Sequence, residues 1–160
     1  MFLNEKHDGT IKGRACTIGT PQHAYIKKED AASPTFATES VFITLVVDAH
    51  ERCHVASFDV PTAFLHALTD EDVVMRLERR IAELMVKVDP SLYRKYITTS
   101  GKGKPILYVK IHKALYEMMR SALLFYRKLV GDLEAYRFKI NPYDPCVANM
   151  DIAGSQMTVV

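Results

Sequence analysis

Hydrophobic and polar positions alternate in three different ways along this chain. Between Lys6 and Ile26 the apolar residues are sparse and Gly9, Gly13, Gly19 and Pro21 punctuate them, a pattern that predicts short strands joined by tight turns. Ser33-Pro34 marks a boundary, because a residue before proline avoids the helical region. Beyond it Val41, Phe42, Leu45, Val46 and Ala49 recur at helical spacing, with Thr38 placed to cap the helix. From His54 to Val60 the period becomes two and predicts a strand that ends at Pro61. Val73, Met75 and Leu77 predict a second strand, and Ile81, Leu84, Met85 and Val88 a helix.

Gly101 to Pro105 reads as a turn, followed by a strand over 106–111. The longest regular element is a helix from about Ser121 to Arg137, with Ala122, Tyr126, Leu129, Leu133 and Tyr136 on its expected inner face. Asn141-Pro142 breaks it, and 146–150 with 157–160 form the arms of a hairpin around Gly154. Helices mixed with mostly antiparallel strands predict an α+β fold, in a chain whose 160 residues suit one domain better than two.

Composition changes this picture little. Hydrophobic residues at 48% and charged residues at 25% are those of an ordinary globular domain, and no apolar run reaches the ~20 residues of a membrane span. The N-terminus lacks the apolar core of a signal peptide, and Cys16, Cys53 and Cys146 are odd in number and widely spaced. The expected location is therefore intracellular, in cytoplasm or nucleus.

Charge changes it more. The net is +2, but residues 1–28 carry +3, residues 29–75 carry −8, residues 76–113 carry +7 and the remainder 0. Two basic blocks around an acidic one suggest a polyanion-binding rim about a cation-binding centre.

Ser57-Phe58-Asp59-Val60-Pro61-Thr62-Ala63-Phe64-Leu65 resembles the first palm motif of copia-type retrotransposon reverse transcriptases. Three more segments match that family in order. Lys12-Gly13-Arg14-Ala15 resembles its basic fingers strand, Lys113-Ala114-Leu115-Tyr116 the stretch before its long palm helix, and Asn141-Pro142-Tyr143-Asp144-Pro145-Cys146 the Asp-Pro-Cys turn. The resemblance implies a fingers-like part (about 1–53) and a palm-like part (about 54–160) with a basic insertion near 76–113. It also implies an RNA template, a DNA primer and deoxynucleoside triphosphates as partners, no membrane, and Mg2+ or Mn2+ as cofactor.

In such enzymes two divalent ions held by carboxylates ~4 Å apart assist nucleotidyl transfer. The resemblance makes Asp59 the catalytic, metal-holding aspartate and Phe64 the ring beneath the incoming sugar. Lys12 and Arg14, two apart on a strand, would grip triphosphate oxygens. Arg79, Arg80, Lys102 and Lys104 are the candidate nucleic-acid contacts in the basic span, where Tyr93, Tyr96 and Tyr108 are interleaved with the charges.

Two positions depart from the family. Glu117 stands where a glycine is usual, and Arg120, a candidate substrate contact, stands where a glutamine is usual. The strand that begins at Met157 also stops before the family's Asp-Asp pair, so the expectation is a fragment that is inactive by itself. A second reading is a nucleic-acid-binding remnant without chemistry. A third takes His50-Glu51-Arg52-Cys53-His54 as a zinc-protease motif, which requires one helix to carry both histidines.

Overall fold

The computed structural model describes residues 2–14 and 16–160, without the side chains of Phe2, Leu3 and Arg14. In chain order the elements are strands β1 (Phe2–Glu5) and β2 (Ile11–Arg14), and helices α1 (Lys28–Ala31) and α2 (Thr38–Glu51). Then come β3 (Leu68–Glu78), α3 (Arg80–Val88), α4 (Pro90–Tyr93), β4 (Thr98–Thr99) and β5 (Pro105–Lys113). The chain closes with α5 (Ser121–Ala135), β6 (Lys139–Ile140), β7 (Ala148–Ile152) and β8 (Ser155–Val159). The fold is mixed α and β, and its three small sheets are antiparallel throughout. Among the described residues no helix is long and apolar enough to cross a membrane.

Two compact units make up the chain. One comprises residues 1–67 with 114–160, the other residues 68–113. This division of the chain by compactness is a different one from the fingers-like and palm-like division implied by resemblance.

In the first unit Ala67, Ala114 and Leu124 form a buried cluster on which Phe64 packs. The inner face of α5 is set by this cluster. Leu123 and Leu124 are buried, whereas Ala122 and Tyr136, expected on that face, are exposed. Spacing alone left the face uncertain by one residue, and the short turn of residues 63–66 together with α1 selects it. The hairpin β7–β8 closes through Ala153 and Gly154, both at positive φ, as a two-residue turn between right-twisted strands requires.

The strand expected over His54–Val60 does not form: residues 53–60 adopt no regular element. A strand needs a neighbouring strand to bond with, and among the described residues none pairs with this stretch; Val55 is 63% and Phe58 73% exposed. The helix expected before it does form, but Phe42, Ile43 and Val46 on α2 are 64%, 64% and 69% exposed.

Thr38 does not cap α2. Ala37 holds the cap position without a side-chain bond of its own, and the Asp144 carboxylate, from the Asp-Pro-Cys turn, accepts its N–H at 2.9 Å. The Ser40 side chain is the strongest influence holding the Asp144 carboxyl below the usual aspartate range, followed by the N–H groups of Ala37 and Cys146. A carboxylate depressed by folding stabilises above its unfolded pKa and loses that contribution as pH falls through the folded one. Acidification below about pH 4 should therefore lower the urea midpoint, and Asp144→Asn should remove part of that decline. A midpoint whose pH dependence is the same in both proteins would contradict this.

In the second unit β5 lies between β3 and β4. Ile106, Leu107 and Ile111 of β5 are buried, as is Ala82 of α3, which packs on the sheet. Asp89 caps α4 by accepting from the Leu92 N–H at 2.9 Å, with Pro90 in the first turn where no amide hydrogen is needed.

Candidate functional site

Two of the segments singled out by resemblance meet within the first unit. Phe64 meets Tyr116 edge to face, ring centroids 4.9 Å apart, and Phe125 at 6.3 Å. The pairing couples the first palm segment to the Lys-Ala-Leu-Tyr segment, and Ala114 N–H donates to the Ala67 carbonyl at 3.0 Å beside it. Such aromatic pairs add about 0.5–1.5 kcal/mol to their burial. Phe64 is half-buried.

Residues 16–22 hold the same segment from another side. The N–H and hydroxyl of Thr17 both donate to the Tyr116 carbonyl at 3.0 Å, and Cys16 bridges Tyr116 in parallel. The buried Gln22 side chain accepts from the Met119 N–H at 2.9 Å. Gly19 comes so close that a Cβ there would lie 2.1 Å from the Glu117 carbonyl oxygen. None of Thr17, Gly19 or Gln22 was marked by the sequence, where Gly19 and Pro21 read only as turn residues.

Glu117 itself has φ +70, in the left-handed region. The backbone here has the conformation that glycine adopts without strain, and a glutamate occupies it. Arg120, half-buried, is the residue before α5.

Asp59 is exposed, five residues before Phe64 and followed by the turn at Pro61 and Thr62. Lys12 is exposed on β2; the side chain of Arg14 and all of Ala15 lie outside the described residues. Among the described residues, no group of three or more His, Cys, Asp or Glu side chains is placed to hold a metal ion. Of the carboxylates that the resemblance implies for a two-ion centre, Asp59 is the one these residues supply.

A scan of protein-family models, a search of curated proteins and a search of solved structures each found no match.

The zinc-protease geometry fails on backbone grounds. His50 lies in the last turn of α2, but the helix stops at Glu51 and Arg52 takes φ +57, with the Cys53 N–H donating to the Asp48 carbonyl at 2.8 Å. His54 lies beyond that break, so the two histidines do not share a helix face.

The second unit gathers the basic candidates at one end. Arg79 and Arg80 open α3, and the Arg79 N–H donates to the Pro105 carbonyl at 2.8 Å. Lys102 and Lys104 stand exposed on the adjoining turn, which is closed by Ser100 and by Gly103 at φ +70. Both arginines sit at the helix end whose dipole is already positive, which an anion would offset.

Proposed function

We propose that this chain is a piece of a copia-type reverse transcriptase, an RNA-directed DNA polymerase domain, in which Asp59 is a catalytic carboxylate and the basic end of residues 68–113 contacts nucleic acid. One observation carries the reading. Two segments matched to that family, distant in sequence, pack together in one compact unit, Phe64 on Tyr116, and Cys16 and Thr17, just after the matched Lys12–Ala15 segment, bind Tyr116 as well. The fourth, at Asp144, ties down the start of α2. The exposed position of Asp59 beside an open turn suits a carboxylate that must reach a substrate.

A nucleic-acid-binding remnant without chemistry is the second reading, favoured by the clustered Arg79, Arg80, Lys102 and Lys104. Both readings predict binding that weakens as salt rises, because each neutralised phosphate releases counterions. Titration of a labelled oligonucleotide at several salt concentrations checks this. Replacing the four basic residues by alanine should reduce the log–log slope by up to about 0.7–0.9 per lost contact. Binding indifferent to ionic strength would sink both readings.

A further inference from the structure

We propose that the open face of the β3–β5 sheet is a stacking platform for a single-stranded polynucleotide, centred on Tyr108. The register pairs Arg76 with Tyr108 and Val74 with Lys110, and directly opposed residues of an antiparallel pair share one face. Val74 and Tyr108 are 59% and 55% exposed, while Leu107 and Ile111, pointing the other way, are buried; Ile106, on the face of Tyr108 and opposite Glu78, is buried as well and bounds the open part of that face. The face therefore carries an aromatic ring and an aliphatic side chain framed by a guanidinium and an ammonium.

Both cations pair with exposed acidic neighbours, Arg76 with Glu78 at 3.0 Å and Lys110 with Asp72 at 2.6 Å. Exposed pairs of this kind contribute little, so phosphates can compete for the two cations. The whole unit carries ten Lys and Arg against six Asp and Glu, and this charge favours a polyanion as the occupant. A ring lying open on a sheet, flanked by cations, suits bases whose faces are free. Those of a duplex are stacked within it.

The inference needs neither Asp59 nor a metal ion, and it holds or fails independently of the polymerase reading. The ordinary role of Tyr108 would be a cross-strand contact that stabilises the hairpin, which predicts an effect on stability and none on binding.

The test uses the full chain and fluorescence anisotropy with a labelled single strand of about 12 nucleotides and with the corresponding duplex. Single-stranded binding should be the tighter. Tyr108→Ala should weaken it on the order of tenfold without changing the salt slope, and Tyr108→Phe should retain it. Arg76→Gln with Lys110→Gln should instead make the slope shallower. Denaturant midpoints are measured alongside; if Tyr108→Ala proves unstable, Tyr108→Leu, which keeps an apolar side chain but no π face, takes its place. Wild-type affinity in the variant lacking the ring, or preference for duplex, would overturn the proposal.

Discussion

Gly19→Ala is expected to destabilise the first unit by about 3 kcal/mol or more, a large effect for one methyl group. The added carbon would stand 2.1 Å from the Glu117 carbonyl oxygen and 3.3 Å from its carbon. These are backbone atoms, so no rotamer change relieves the clash. Residues 16–22 and 116–119 would have to separate, straining the bonds from Thr17 to Tyr116 and from Met119 to Gln22. Each bond lost costs about a further 1 kcal/mol.

Gly131→Ala provides the opposite sign. That glycine lies inside α5 with nothing within 4 Å of an added Cβ, so alanine should stabilise by about 0.5–1 kcal/mol through helix propensity. Urea denaturation of both variants measures the pair. A neutral Gly19→Ala would show that the two segments are not in contact.

The second large effect is on activity. A 160-residue polypeptide of this sequence should not extend a primer. Nucleotidyl transfer by the two-ion route needs carboxylates that hold both ions ~4 Å apart. On the proposed reading an Asp-Asp pair is needed beside Asp59, and among the described residues no group of three or more His, Cys, Asp or Glu is placed to hold a metal ion. Loss of a single oriented stabilising group already costs 10²–10³ in rate, roughly, and on the proposed reading Asp59 is one of several carboxylates that the reaction needs. On the same reading Glu117, strained at φ +70, and Arg120, a donor where the resemblance implies an amide, add to the deficit. Extension by this polypeptide that vanishes on Asp59→Asn would refute the argument.

Much of the fold was legible where periodicity was long. The helices α2, α3 and α5 and the strands β3 and β5 stand close to their expected places, because amphipathic spacing over eight or more residues is hard to satisfy by accident. The stretch 54–60 alternates equally well and forms no strand, because alternation specifies which side is apolar and leaves the pairing partner unspecified. The same distinction applies to α2, whose apolar stripe is present and open.

The candidate site was legible as residue types and illegible as contacts. Asp59 and Phe64 were found through a motif, but the contacts that place Tyr116 come from Thr17, Gly19 and Gln22, roughly a hundred residues earlier. Nothing local marks such a long-range clamp. Glu117 is an intermediate case: its departure from glycine was readable, and its positive φ gives that departure a physical consequence.

Primer extension on a completed chain tests the central claim most directly. The sequence would be continued past Val160 through a Val-Asp-Asp strand, with Glu117→Gly and Arg120→Gln introduced. It would be assayed with an RNA template, a DNA primer, deoxynucleotides and magnesium. The account predicts template-directed incorporation that Asp59→Asn abolishes. A folded, completed chain that incorporates nothing, or one whose incorporation survives Asp59→Asn, would contradict it.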